Sequence, residues 1–106
     1  MKTIVLLFGI SFLMLSGCKK EDSPGANEVF IRNLAFNPAS MTVSAGTTVK
    51  WTDKETITHT VTSDTGLFNS GDLTNGQTFS FNFTTPGTYA YHCNHHSTMH
   101  GTITVY

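Results

Sequence analysis

The chain has 106 residues, enough for one domain, and its charges nearly cancel, with six lysines and arginines against seven aspartates and glutamates and a formal net charge of −1. Without an excess of positive charge there is no basic face for a polyanion, so nucleic-acid binding is excluded as a class of function.

The chain begins with a segment typical of an export signal. Lys2 precedes an apolar stretch over residues 4–15, which is too short to span a bilayer. The Leu-Ser-Gly-Cys motif that follows resembles the lipobox of bacterial lipoproteins, in which the cysteine is acylated and becomes the mature N-terminus. Residues 1–17 are therefore predicted to be a cleaved lipoprotein signal peptide, and Cys18 is predicted to carry the lipid.

A short tether is predicted to follow the lipid. Residues 18–26 are polar and rich in turn-forming types, which favours a flexible segment. Lys19 stands where an aspartate would indicate retention in the inner membrane. The sequence thus predicts an exported protein, held by its N-terminal lipid at the outer membrane and facing the periplasm or the cell surface.

Residues 27–106 are predicted to form one all-β domain. Short runs rich in Val, Ile, Thr, Phe and Tyr alternate with tight-turn signals such as Asn75-Gly76, a pattern typical of a β-sandwich. Residues 64–74 are predicted to be a loop with one short edge strand. The predicted strands are Val29–Leu34, Met41–Ser44, Thr47–Thr52, His59–Ser63, Gln77–Phe83, Thr88–His92 and Thr102–Tyr106.

The two-residue period of these strands assigns side chains to faces. Cys93 lies at the inward end of its strand, and His92 points away. His59 has the parity of Ile57 and Val61 and is predicted to point into the sandwich. A buried histidine needs a partner for its ring nitrogens. Because this one approaches the end of the sandwich where Cys93 lies, a metal ligand is favoured over a hydrogen-bonded core histidine.

The cysteine count also favours a metal. If Cys18 carries lipid, Cys93 is a lone thiol in an oxidising compartment, where it is liable to oxidation. Coordination of a metal would protect this sulfur. The alternative is that Cys93 is a small buried side chain, as free cysteines commonly are.

The stretch from Tyr91 to Gly101 concentrates metal-binding side chains: one thiol, several imidazoles and one thioether. This donor set suits copper, and two His and one Cys with a weak Met form the electron-transfer version of a copper site. A loop that turns around an ion readily presents residues three apart, here Cys93, His96 and Met99, so His96 rather than His95 is the predicted ligand. Zinc would accept Cys and two His but would not need Met99.

Four features in order along the domain carry a family resemblance. They are Ala45-Gly46-Thr47-Thr48-Val49-Lys50-Trp51, His59-Thr60-Val61, Pro86-Gly87-Thr88-Tyr89-Ala90-Tyr91-His92-Cys93, and the loop Cys93-x-x-His96-x-x-Met99-x-Gly101. Together they resemble the cupredoxins, the small blue copper proteins, and most closely the amicyanin, plastocyanin and pseudoazurin group.

The resemblance implies a Greek-key β-sandwich with one copper ion at one end. It implies that His59, Cys93 and His96 hold the copper with Met99 as the axial ligand. The implied function is electron transfer to and from redox partner proteins, by a monomer that turns over no substrate.

The sequence departs from the family pattern at three positions. Thr60 follows the first ligand histidine where relatives usually have Asn, and Asn94 follows the cysteine where they usually have Ser or Thr. We expect Thr60 and Asn94 to hydrogen-bond with exchanged roles, joining the two ligand-bearing loops and orienting the ligands. His95 replaces a frequent proline, and His92, His95 and His100 are expected to surround the metal without binding it.

Two alternative functions remain open at this point. One is a binding module for copper delivery or for zinc. The other is a subunit of an enzyme like the copper nitrite reductases, because His92-Cys93 resembles their His-Cys pair. Those enzymes need a second domain and further ligands from a neighbour, whereas this chain has room for one domain.

Overall fold

The computed structural model describes residues 22–106, and all regular structure within them is β-strand. The predicted signal peptide and the lipid-attachment residue Cys18 lie outside these residues. None of the described residues belongs to a helix of the length and apolarity needed to cross a membrane. The strands are β1 (Glu28–Arg32), β2 (Ala35–Asn37), β3 (Ser40–Val43), β4 (Thr47–Asp53), β5 (Thr62–Ser63), β6 (Thr78–Phe83), β7 (Gly87–His92) and β8 (His100–Val105).

The eight strands form two four-stranded sheets that face each other. The first has the order β2-β1-β4-β6, and the second has the order β3-β8-β7-β5. The β1–β4 and β3–β8 pairs are parallel, and the other pairs are antiparallel. Apart from β1–β2 and β7–β8, strands that follow each other in sequence lie in different sheets. This arrangement confirms the predicted all-β sandwich.

The core lies between the sheets and is strongly aromatic. The rings of Trp51 on β4 and Tyr91 on β7 are both fully buried and meet edge to face, 5.3 Å between centroids. Phe83 on β6 is buried, and it contacts Phe68, which lies outside any strand. Burial of each such side chain contributes about 1.5–3 kcal/mol of transfer free energy. The core thus fixes β4 and β7 to each other near the end that carries the metal-binding side chains.

Residues 64–74 contribute Phe68 and Leu73 to the core although they form no regular strand. Both are buried, at 5% exposure, and cover the edge of the core from within an irregular segment. The expected short edge strand is replaced by two isolated bridges, His59 to Leu73 and Thr62 to Asn69. This segment is therefore held by the backbone hydrogen bonds of two isolated bridges and by burial of two apolar side chains.

The bounds of all seven predicted strands differ from the observed ones, and β2 is not among the predicted strands. Two of the differences have a clear structural cause. The first ends at Arg32, because Asn33 and Leu34 adopt positive φ angles of 58° and 54° and turn the chain into β2. The strand expected over residues 59–63 contracts to β5. Ile57, expected to point inward, is 45% exposed, since the chain before His59 is not extended.

Candidate metal centre

Three donor side chains from two distant parts of the chain meet at one end of the sandwich. The ligand atoms of His59, Cys93 and His96 lie within 4.8 Å of one another. Cys93 Sγ is 3.8 Å from His59 Nδ1 and 3.5 Å from His96 Nδ1. His59 and Cys93 are buried and His96 is half-buried, so one imidazole of the group reaches the surface.

The hairpin formed by β7 and β8 brings in the two sulfur-containing side chains. The backbone N–H of Cys93 donates to the carbonyl of Met99 at 3.2 Å, and the N–H of Met99 donates to the carbonyl of His96 at 3.0 Å. Cys93 and Met99 are each 1% exposed. The loop between them therefore closes tightly and turns both sulfur-containing side chains inward.

Glu55 fixes the orientation of His59. His59 is fully buried, and its Nε2 lies 2.6 Å from Glu55 Oε2. Because a carboxylate only accepts, Nε2 carries the proton and Nδ1 keeps its lone pair toward Cys93. The Glu55 carboxylate also accepts the backbone N–H groups of Asn33 at 3.1 Å and Leu34 at 3.2 Å.

The charge of Glu55 is stabilised by these contacts. Burial alone would raise the pKa of its carboxyl group, but the hydrogen bonds from His59, Leu34 and Asn33 outweigh burial and lower the pKa. Glu55 was not anticipated from the sequence. The one available signal was an acidic residue four positions before a predicted buried histidine.

Asp53 supports the same loop from the end of β4. Its side chain is fully buried and accepts the backbone N–H of Glu55 at 2.9 Å. Burial raises the pKa of the Asp53 carboxyl group, although the Glu55 hydrogen bond and the nearby His59 oppose the shift. The two acidic residues thus hold the segment from Asp53 to Glu55 beneath the imidazole of His59.

Thr60 links the two loops that carry the donors. Its backbone N–H lies 3.4 Å from Cys93 Sγ, and its hydroxyl accepts the backbone N–H of Asn94 at 2.9 Å. The expected contact between Thr60 and Asn94 therefore runs through the backbone of Asn94, not its side chain. The Thr60 hydroxyl also lies 2.9 Å from the Thr62 hydroxyl, which donates to Asn69 Oδ1 at 3.4 Å.

The three remaining histidines lie outside the donor group. His92 Nδ1 is 2.5 Å from Asp64, and its Nε2 is 3.1 Å from the side-chain oxygen of Asn94. His95 Nε2 is 2.8 Å from Asp72. His100 is exposed at the start of β8. The sequence predicted these histidines around the centre, but it did not identify the carboxylate partners of His92 and His95.

The donor geometry fits a single copper ion. With the bond lengths of zinc sites, about 2.0 Å to nitrogen and about 2.3 Å to sulfur, two donors of one ion at an angle of about 110–120° lie about 3.5–3.7 Å apart. The two observed nitrogen–sulfur distances are 3.5 and 3.8 Å. No carboxylate belongs to the donor group among the described residues, since Glu55 contacts the opposite nitrogen of His59. His59, Cys93, His96 and Met99 form the pattern of a type 1 copper site.

Among protein-family models, the "Cupredoxin-like domain" matches residues 4–105. Among curated proteins, the chain is 34% identical to amicyanin-alpha of Methylorubrum extorquens over 91 residues, which covers 81% of this chain and 76% of that protein. It is 38% identical to plastocyanin of Scenedesmus fuscus over 85 residues, covering 68% of this chain and 87% of the plastocyanin.

Solved structures agree with the sequence relatives. A reduced Cu(I) form of an amicyanin variant superposes with a TM-score of 0.73 at 31% identity, covering 81% of this chain and 87% of the other. An oxidised amicyanin variant also gives 0.73, at 30% identity over the same shares. A purple cupredoxin from Nitrosopumilus maritimus gives 0.68 at 29% identity, covering 74% and 98%. With the fold, the donor pattern and these relatives in agreement, the chain belongs to the cupredoxin-like family.

Proposed function

We propose that this protein carries one electron on a single copper ion held by His59, Cys93, His96 and the axial Met99, and passes it between redox partner proteins. When bound, copper supplies the chemistry by alternating between Cu(I) and Cu(II). The observation that carries the proposal is the meeting of one buried thiol and two Nδ1 atoms within 4.8 Å, beside a buried methionine.

The surroundings of the donors suit electron transfer because they resist rearrangement. His59 is held by Glu55, and the Cys93 sulfur faces the backbone N–H of Thr60 inside a closed loop. Side chains held in this way keep the same positions when the charge of the site changes. A small rearrangement keeps the barrier to transfer low.

His96 is the side chain through which an electron would leave or enter. Of the three donors that converge, it alone is not fully buried. Its exposed edge lies beside His95, which is paired with Asp72. We infer that a redox partner docks over this end of the sandwich. No substrate pocket is needed for this role, so the protein is proposed to be a carrier and not an enzyme.

The location and attachment of the protein are part of the proposal. Cys18 is proposed to carry lipid, so that the domain works as a monomer anchored at the outer membrane and faces the periplasm or the cell surface. The first described residue of the tether, Asp22, lies 3.1 Å from Lys54 Nζ, and its carbonyl accepts a hydrogen bond from Arg32 at 3.1 Å. These contacts are exposed and together contribute about 1 kcal/mol or less, so the tether stays releasable.

The experiment that tests the proposal is addition of Cu(II) to the purified protein. An electron carrier of this type turns intensely blue through thiolate-to-copper charge transfer. Addition of one electron per copper should bleach the colour, and removal of that electron should restore it. Cys93→Ser should abolish the colour. His95→Ala, a neighbouring imidazole outside the donor group, is the matched control and should keep it. A pale copper complex of the unchanged protein would instead support a delivery or zinc module.

Met99 is tested separately, because its role concerns the potential more than binding. Met99→Leu removes the thioether but keeps an apolar side chain of similar volume. The variant should retain copper and colour while its reduction potential rises, since a weak donor to Cu(II) has been removed. An unchanged potential would show that Met99 fills space without acting on the metal.

A further inference from the structure

We propose that the outer face of the β7–β8 hairpin is a second, surface metal site, built from His92 and His100 and oriented by Asp64, which takes a divalent transition-metal ion. This site is separate from the group of His59, Cys93 and His96, and the proposal does not depend on what that inner group binds.

The alternation of side chains along the hairpin creates the site. His92 on β7 and His100 on β8 are direct cross-strand partners. The neighbouring pair, Cys93 and Met99, is joined by the bond from Cys93 N–H to the Met99 carbonyl. Because hydrogen-bonded and non-hydrogen-bonded pairs alternate along an antiparallel ladder, His92 and His100 form a non-hydrogen-bonded pair. In such a pair the Cα atoms are about 4.5 Å apart and both side chains lie on the same face. The hairpin directs the side chains of Cys93 and Met99 inward, and it therefore places the imidazoles of His92 and His100 next to each other on its outer face.

Asp64 gives His92 the orientation of a metal ligand. The Nδ1–H of His92 donates to Asp64 Oδ1 at 2.5 Å. Histidines that bind metals almost always donate their other ring N–H to a carboxylate or carbonyl in this way, which fixes the ring and makes the free nitrogen more basic. The remaining nitrogen, Nε2, lies 3.1 Å from the side-chain oxygen of Asn94.

An open groove lies in front of these atoms. It has a volume of about 520 Å³ and is lined by Asp64, His92, Cys93, Asn94, Ser97 and His100. A metal ion there would have two imidazole nitrogens, the nearby Asn94 and Ser97 oxygens, and water. This nitrogen and oxygen set differs from the inner sulfur-containing set, and it suits Zn²⁺, Cu²⁺ or Ni²⁺ rather than Cu(I).

Compared with the inner group, the outer site is weak and exchangeable. Among residues 22–106, only His59, Cys93 and His96 bring three ligand atoms within 4.8 Å of one another. The outer site has two imidazoles, and His92 is 31% exposed. We therefore expect reversible binding of an ion from solution, close to the backbone that carries Cys93 and Met99.

The probe is Zn²⁺, titrated by calorimetry into the copper-loaded protein while the blue colour reports that the inner site keeps its copper. One zinc ion should bind per chain. His100→Ala should weaken binding by about tenfold or more, and Asp64→Asn should weaken it by about tenfold through loss of the orienting carboxylate. The ¹⁵N chemical shifts of the His92 and His100 rings should both change as zinc is added, with the same dependence on zinc concentration.

The matched control is His95→Ala. His95 is also an exposed imidazole bonded to a carboxylate, Asp72, but it has no cross-strand histidine. This variant should bind zinc as the unchanged protein does. The proposal fails if no zinc binds, if His100→Ala binds as tightly as the unchanged protein, or if His95→Ala loses as much affinity as His100→Ala.

The same comparison in a Cys93→Ser background separates the outer site from the inner one. That substitution removes the inner thiolate and leaves both outer imidazoles in place. His100→Ala should again lower the affinity for zinc by about tenfold or more. If it has no effect in that background, the outer imidazoles are not the ligands.

Discussion

Replacement of Glu55 by glutamine tests how the protein prepares His59 for a metal. The carboxylate accepts three hydrogen bonds, at 2.6 Å from His59 Nε2, 3.1 Å from Asn33 N and 3.2 Å from Leu34 N. A glutamine side chain has one accepting oxygen and one donating nitrogen. In either orientation, the NH₂ group of Glu55→Gln faces an N–H group that donates to the carboxylate in the unchanged protein. Two donors then face each other.

The structure allows the magnitude to be estimated for the orientation that breaks the bond to His59. If the oxygen of the new amide faces Asn33, its NH₂ group faces His59 Nε2, and the proton of the imidazole is driven to Nδ1, the nitrogen that faces Cys93. Copper affinity should then fall by about 10–100-fold, as for other partners that orient a ligand. Loss of a hydrogen bond to a charged acceptor should also lower the free energy of unfolding by about 1.5–3 kcal/mol.

Both quantities can be measured on the same variants. Copper affinity is obtained by competition with a chelator, the free energy of unfolding by urea denaturation, and the tautomer of His59 from its ¹⁵N shifts. Glu28→Gln is the control: it neutralises a carboxylate on β1 that contacts Thr52 and Lys50. It should leave copper affinity unchanged. If both Glu55→Gln and Glu55→Ala, which leaves no acceptor in either orientation, bind copper as tightly as the unchanged protein with the proton still on Nε2, Glu55 does not orient His59.

Two further substitutions and the pH dependence of Glu28→Gln test the packing, the link between loops and the electrostatics. A Cβ on Gly101 would lie 2.2 Å from Cζ of the fully buried Tyr91. Gly101→Ala should therefore lower the free energy of unfolding, measured with urea, by about 1–3 kcal/mol or more. A stability equal to that of the unchanged protein would contradict this packing. Burial raises the pKa of Glu28, but hydrogen bonds and nearby lysines outweigh it and lower the pKa. The stability that ionised Glu28 supplies is present above its unfolded pKa and lost as the pH falls through the lowered folded pKa. The deficit of Glu28→Gln at neutral pH should therefore shrink as the pH falls below the ordinary carboxyl pKa value of 4.5 and vanish once Glu28 is protonated in the folded protein. Thr60→Ala removes the acceptor of the Asn94 N–H and should lower copper affinity and shift the reduction potential; if neither changes, Thr60 does not join the loops.

Much of the fold and of the donor group could be predicted from the sequence because strand parity and local spacing carry it. Parity placed His59 and Cys93 inside, and both are buried. The three-residue spacing selected His96 over His95, and it is the imidazole of His96 that lies within 4.8 Å of the other donors. Such features depend on a few neighbouring residues, so a single sequence contains them.

The rest depends on contacts between segments that have no periodic pattern. Glu55 reaches His59 because the chain between them is irregular, and its carboxylate is held by the turn at Asn33 and Leu34, more than twenty positions away. Phe68 enters the core from a segment without strands. Two backbone hydrogen bonds determine the position of Glu55, and burial of its ring determines that of Phe68. Neither interaction produces a periodic pattern in the sequence.

Measurement of the bond between copper and the sulfur of Cys93 tests the central claim most directly. X-ray absorption at the copper edge of the loaded protein should show a short sulfur contribution along with two imidazoles, and Cys93→Ser should lose the sulfur contribution while keeping the imidazoles. Copper surrounded by nitrogen and oxygen alone, with the same spectrum in both proteins, would contradict the account.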